Sequence, residues 1–182
     1  MVQIINIVAS GDLGREFDLA SLSEDLDLPH IQYDPETFPG AQLRLSPEGA
    51  VMTVFSTGSY TITGVQTDAE LRSVFTEIVS SINDILSKSV SPEYPVVGNL
   101  ACKAALEREL DLAAVSIGLG IEHTEYEPEQ SPFVYYRPND TNCVITIASN
   151  GQVVITGIKE KREAEQAFSH LQAKIDCLFS NN

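Results

Sequence analysis

Laid over itself with Asn6 on Asn99, the 182-residue chain stays in register to its end without an insertion. No other feature constrains its fold as strongly, because a gapless internal repeat means one structural unit built twice. The segment "LGREFDLA" (13–20) meets "LERELDLA" (106–113), His30 meets His123, Tyr33 meets Tyr126, and Pro35-Glu36 meets Pro128-Glu129. Arg44 meets Arg137, Thr53 meets Thr146, "ITG" (62–64) meets "ITG" (155–157), and Phe75 and Ile82 meet Phe168 and Ile175. Chance does not place so many matches at one offset. Two repeats, 1–91 and 92–182, therefore share one domain. They join near "KSVSPEYP" (88–95), which its prolines mark as non-helical.

Each half reads alike. A strand ("QIINIVA"; "VVGNLAC") leads into a helix near 15–26 or 108–119. Three or four short strands follow, rich in Val, Ile, Thr and Tyr and separated by Pro, Gly and Asn. A long helix closes each half. Leu71, Val74, Phe75, Ile78, Ile82 and Ile85 fall at helical spacing in 67–86, as do Ala164, Ala167, Phe168, Leu171, Ile175 and Leu178 in 160–179. The order β-α-β-β-β-β-α, used twice, predicts an α+β fold: one continuous antiparallel sheet with helices packed on one face.

A sheet covered on one face should carry charge on the other. Yet "AVMTVFSTGSYTITGVQT" (50–67) and "NCVITIASNGQVVITGI" (142–158) have no charged residue. Alternate residues point to opposite faces. If Met52, Val54, Tyr60 and Ile62 face the helices, then Val51, Thr53, Phe55, Thr61 and Thr63 face outward. The second half presents Val144, Thr146, Ala148, Val154 and Thr156. The remaining segments are too short to cover this face. It therefore reads as an exposed, largely apolar binding surface, whose small Val and Thr side chains suit a partner lying flat along the sheet.

The net charge is −15. Such acidity fits either a protein that shuns nucleic acid, since phosphate binding needs Lys and Arg, or one adapted to concentrated salt, where the Debye length falls to ~3 Å at 1 M. The scarcity of lysine leans toward the second, so charge alone does not exclude DNA. Cys102, Cys143 and Cys177 are odd in number and widely spaced, and read as reduced packing residues rather than a disulfide or metal framework. No apolar run reaches the ~20 residues of a membrane span, and "MVQIINIVAS" lacks the features of a signal peptide, so a cytoplasmic protein without a membrane partner is expected. No cofactor motif, nucleophile–base arrangement or phosphate-binding glycine loop is present. The equivalent His30 and His123 suit a strand-edge role better than catalysis, and an enzyme is not expected.

Over essentially its whole length the chain resembles the archaeal TATA-box-binding proteins. The motifs that carry the likeness are "INIVASGDLGREFDL", "YDPETFPG", "FSTGSYTITG", "LERELDL", "YEPEQSP" and "ITGIKE", and the acidity is similar to that of haloarchaeal members. The resemblance implies a saddle: two pseudo-symmetric repeats, a ten-stranded curved antiparallel sheet and four helices on the convex side. It also implies a concave face seated in the minor groove of AT-rich promoter DNA, with phenylalanine pairs wedged between base steps. Carried over by position, Asn6 and Asn99 are the central groove donors. Val8, Thr53, Thr61 and Thr63 line the first half, and Thr146, Val154 and Thr156 the second. Arg44 and Arg137 meet phosphates, and Phe38 and Phe55 are the first repeat's wedges. In relatives the loop holding Glu-Pro-Glu binds transcription factor B, which implies that role for Glu127 and Glu129, and with it a place in the RNA polymerase pre-initiation complex on the nucleoid. The uncharged faces also make a homodimer possible without DNA.

The chain departs from the family where DNA would be deformed. The second repeat's wedge positions hold Ser131 and Ala148, with Phe133 nearby where the first repeat has Gly40. The family's lysine after the "SG" turn is Ser59 in one half and Gln152 in the other, and a first-strand valine is replaced by Ala101. Weaker or asymmetric bending follows. An alternative reading is an interaction module or repressor of the same fold that binds transcription factor B or another protein with little DNA binding.

Overall fold

The computed structural model describes residues 1–139 and 141–179. Its elements run β1 (Gln3–Asp12), α1 (Leu19–Asp25), β2 (His30–Gln32), β3 (Gly40–Arg44), β4 (Val51–Phe55), β5 (Ser59–Val65) and α2 (Asp68–Ile85), followed by β6 (Val96–Ala105), α3 (Leu112–Leu119), β7 (Thr124–Glu125), β8 (Phe133–Tyr136), β9 (Val144–Ala148), β10 (Gln152–Ile158) and α4 (Lys161–Phe179). The ten strands form a sheet in the order β2-β3-β4-β5-β1-β6-β10-β9-β8-β7. The expected element order is thus found twice over.

Two compact units divide the chain: Asn6–Gly98, and Asn99 onward together with Met1–Ile5. In the first, α1 packs on β3 and α2 on β4 and β5. Met52, Val54 and Ile62 are fully buried there with Leu71, Ile78 and Ile82 of α2. In the second, α3 packs on β7 and β8, α4 on β10, and the two helices on each other. Ile145, Ile147, Val153 and Ile155 are buried with Ala164, Leu171 and Ile175. Removing these apolar side chains from water is the main stabilising term in each half.

The short helices begin later than the sequence pattern suggested. Before α1, the Leu13 and Phe17 amides donate to Gly58 O and Ser56 O, both at 2.9 Å, and before α3 the Leu106 and Leu110 amides donate to Gly151 O and Ser149 O at 2.9 and 2.8 Å. These stretches are tied to a hairpin turn and cannot close helical rings. Each helix starts where an aspartate caps it. Asp18 Oδ1 accepts from Ala20 N and Ser21 N, and Asp111 Oδ1 from Ala113 N and Ala114 N. Two other departures are small. Cys177 is exposed on α4 rather than packed, and Leu178, last in the α4 stripe, is exposed near the helix end.

Candidate nucleic-acid interface

Strand alternation separates two sides in each half. Met52, Val54, Tyr60 and Ile62 are buried, whereas Val51, Phe55, Thr61 and Thr63 between them are only half-buried. Thr53 pairs with Thr61, and Val51 with Thr63. In the second half Val144, Thr146 and Ala148 alternate with buried Ile145 and Ile147, with Thr146 opposite Val154 and Val144 opposite Thr156. The outward register expected for these residues is observed. Val8 also lies half-buried between buried Ile7 and Ala9.

The two asparagines are held by one device. Asn6 Oδ1 accepts the Gly64 N–H at 2.8 Å, and Asn99 Oδ1 accepts the Gly157 N–H at 2.9 Å. Both glycines adopt positive φ, at 89° and 79°, beside irregularities in the β1–β5 and β10–β6 ladders. A bulge of this kind frees an amide that regular pairing would consume. With each Oδ1 bonded to a bulge amide, the Nδ2 hydrogens are the donors each asparagine can offer a ligand. Asn6 Nδ2 lies 3.2 Å from Thr63 Oγ1, while Asn99 Nδ2 makes no hydrogen bond among the described residues.

Phe38 precedes β3 and Phe55 ends β4; their ring centroids are 6.1 Å apart and tilted by 57°. Both lean over Gly40, where an added Cβ would meet Thr53 Cγ2 at 2.7 Å, Phe38 Cε1 at 2.9 Å and Phe55 Cε1 at 3.1 Å. This convergence accounts for Thr53 being only 7% exposed although it lies on the outward side. Phe38 is 41% exposed, so its ring is not part of the core. In the second half Ser131 Oγ lies 3.1 Å from the Tyr135 hydroxyl.

The arginines differ between halves. Arg44 Nη1 donates to Gly49 O at 2.9 Å and braces the β3–β4 turn. Arg137, just past β8, donates to Glu125 Oε2 at 2.9 Å. Glu127 and Glu129 are exposed in a turn, where Glu127 O accepts the Gln130 and Ser131 amides at 2.9 Å and its side chain takes the Gln130 amide. They are not brought to the sheet with the other candidates.

Sequence reasoning missed three outward residues. Lys103, paired with Val154 on β6, is exposed and was legible as the lone charge in "VVGNLACKAA". Gln42 lies opposite Thr53, and Tyr135 opposite Thr146. Among the described residues the strands contain only two acids, Asp12 and Glu125, in a chain with 26. The outward side thus offers amide and hydroxyl donors, methyl groups, rings and a few cations, and no carboxylate pair for acid–base work. No cluster of metal-ligating residues occurs among the described residues, and no helix there is long and apolar enough to cross a membrane.

The model of the family described as "Transcription factor TFIID (or TATA-binding protein, TBP)" matches residues 1–85 and again 94–178. The chain is 39% identical to TATA-box-binding protein C of Halobacterium salinarum, over 97% of this chain and 98% of that protein. It is 33% identical to TATA-box-binding protein 1 of Methanosarcina acetivorans, over 96% and 94%. The solved structure of Methanococcus jannaschii TBP is similar with a TM-score of 0.83 and 32% identity, over 96% of this chain and 98% of that one.

Proposed function

Because this chain belongs to the TATA-binding protein family, we propose that it recognises AT-rich promoter DNA through the minor groove and initiates transcription. It does so as two repeats, 1–91 and 92–182, and as a binding protein rather than an enzyme. The single observation that carries this reading is the outward side of the strands, kept almost free of acids in a chain of net charge −15. A polyanion could not approach carboxylates there.

The chemistry fits the groove. Its floor presents mainly acceptors, and the Asn6 and Asn99 amides, their oxygens turned to the bulge amides, can donate from Nδ2. Thr53, Thr61, Thr63, Val8, Thr146, Val154 and Thr156 supply small, neutral contact. Phe38 and Phe55 wedge between bases at one end, and Arg44 and Arg137 meet phosphates. Apolar wedging depends little on counterion release, so binding persists in concentrated salt. Glu127 and Glu129, exposed in their turn, recruit transcription factor B and through it the polymerase.

A second reading has the chain capture transcription factor B with little DNA contact; Ser131 and Ala148, where the second wedge pair would stand, favour it. A gel shift in molar KCl with an AT-rich duplex, with and without the factor, tests both. The expected result is a shift without the factor that weakens in Phe38→Ala and Phe55→Ala, and a supershift lost in a Glu127→Lys, Glu129→Lys variant. Capture of the factor with no duplex shift under any condition would replace the first reading by the second.

A further inference from the structure

We propose that Phe133 is the second half's DNA wedge, with Tyr135 beside it, and that the aromatic function has moved there from positions 131 and 148. The proposal rests on the minor-groove reading above.

The two halves carry equal aromatic content on the outward side, placed differently. The first half has Phe38 and Phe55, with Gly40 and Gln42 on β3. The second has Phe133 and Tyr135 on β8, with Ser131 and Ala148 at the positions of the two rings. The direction of Phe133 follows from its strand: Val134 and Tyr136 are buried, and Phe133 between them and the turn is 37% exposed, close to the 41% of Phe38. Phe133 pairs with Ala148 and Tyr135 with Thr146, and directly paired residues share a face. Phe133 therefore stands on the same side of its half as Asn99, Thr146, Val154 and Thr156.

Sterics explain why the rings moved together. At Gly40 even a methyl group would press on Thr53, Phe38 and Phe55 at 2.7, 2.9 and 3.1 Å. A side chain there would crowd the Thr53 methyl and both flanking rings at once. With Ser131 and Ala148 in their places the two flanking rings are gone, and only Thr146, the equivalent of Thr53, remains of the three crowding side chains. Ser131, no longer a wedge, holds the Tyr135 phenol at 3.1 Å, which orients the second ring.

The test uses the full chain in molar KCl and an AT-rich duplex carrying 2-aminopurine at successive steps, where unstacking raises fluorescence. Wild type is expected to brighten steps near both ends of its site. Phe133→Thr, which keeps a strand former in β8, should lose the signal at one end and about tenfold in affinity. Phe38→Ala with Phe55→Ala should lose the signal at the other. The variant Ser131→Phe, Phe133→Gly, Ala148→Phe, which copies the first half, should recover both. If Phe133→Thr binds within twofold of wild type and keeps both signals, the wedge assignment is wrong while groove binding stands. If wild type itself neither shifts nor brightens the duplex, both readings fall.

Discussion

Glu125 holds the Arg137 guanidinium at 2.9 Å, whereas the equivalent pair in the first half is Gln32 and Arg44, and Arg44 turns instead to Gly49 O. One of the two arginines proposed to meet phosphate is thus partly neutralised by its own chain. Both partners are more than half exposed, so the pair itself stabilises the fold by no more than ~1 kcal/mol. Glu125→Gln is expected to leave the unfolding midpoint nearly unchanged and to tighten duplex binding several-fold. The slope of log affinity against log salt should steepen by about one phosphate contact. Titration at several KCl concentrations checks it, and an unchanged slope would argue against Arg137 as a phosphate ligand.

Asn99→Asp separates fold from recognition. The carboxylate still accepts the Gly157 N–H now bonded at 2.9 Å, but it carries no donor and adds a negative charge on the outward side. Stability should change by less than about 0.5 kcal/mol, while affinity for the AT-rich duplex falls more than tenfold. Urea melts and gel shifts on the same preparation read the two effects independently. Binding at the wild-type level would remove Asn99 from the interface.

The two bulge glycines should respond unequally to alanine. Both positions have positive φ, which costs a Cβ-bearing residue ~1–2 kcal/mol. At Gly157 the new Cβ would also lie 2.6 Å from Asn142 O, whereas at Gly64 its nearest neighbour is Ala50 Cα at 3.1 Å. Gly157→Ala is therefore the more destabilising of the two and should weaken DNA binding by displacing Asn99. Equal unfolding midpoints for the two variants would contradict the geometry.

Tyr60 gives a pH dependence. Its ring is 1% exposed and its hydroxyl is buried without a hydrogen-bond partner. Burial, reinforced by the nearby Asp12 and Tyr94, pushes the phenol from 10.0 up to about 12. The folded chain thus holds this proton more tightly than the unfolded one. The associated stability is whole below pH 10 and is lost as pH rises from 10 to 12, by about 3 kcal/mol. Tyr60→Phe should flatten that alkaline limb and, by removing an unpaired hydroxyl, be neutral to stabilising by up to ~2 kcal/mol at pH 7. Melts from pH 7 to 12 compare the two, and identical alkaline limbs would refute the assignment.

The sequence by itself determined the duplication, the element order, the outward register of the Thr and Val residues, and the family. These rest on periodicity and repetition, and alternation along a strand is a local property that burial then reinforces. Tertiary structure alone decided where the short helices start, because the Leu13, Phe17, Leu106 and Leu110 amides find partners in a distant turn. It also decided which atom of each asparagine the bulge amide engages, since Gly64 and Gly157 lie far along the chain from Asn6 and Asn99. The direction of Phe133 belongs there too. A lone aromatic beside a turn has no period to read, and only its pairing with Ala148 places the ring on the side away from the helices.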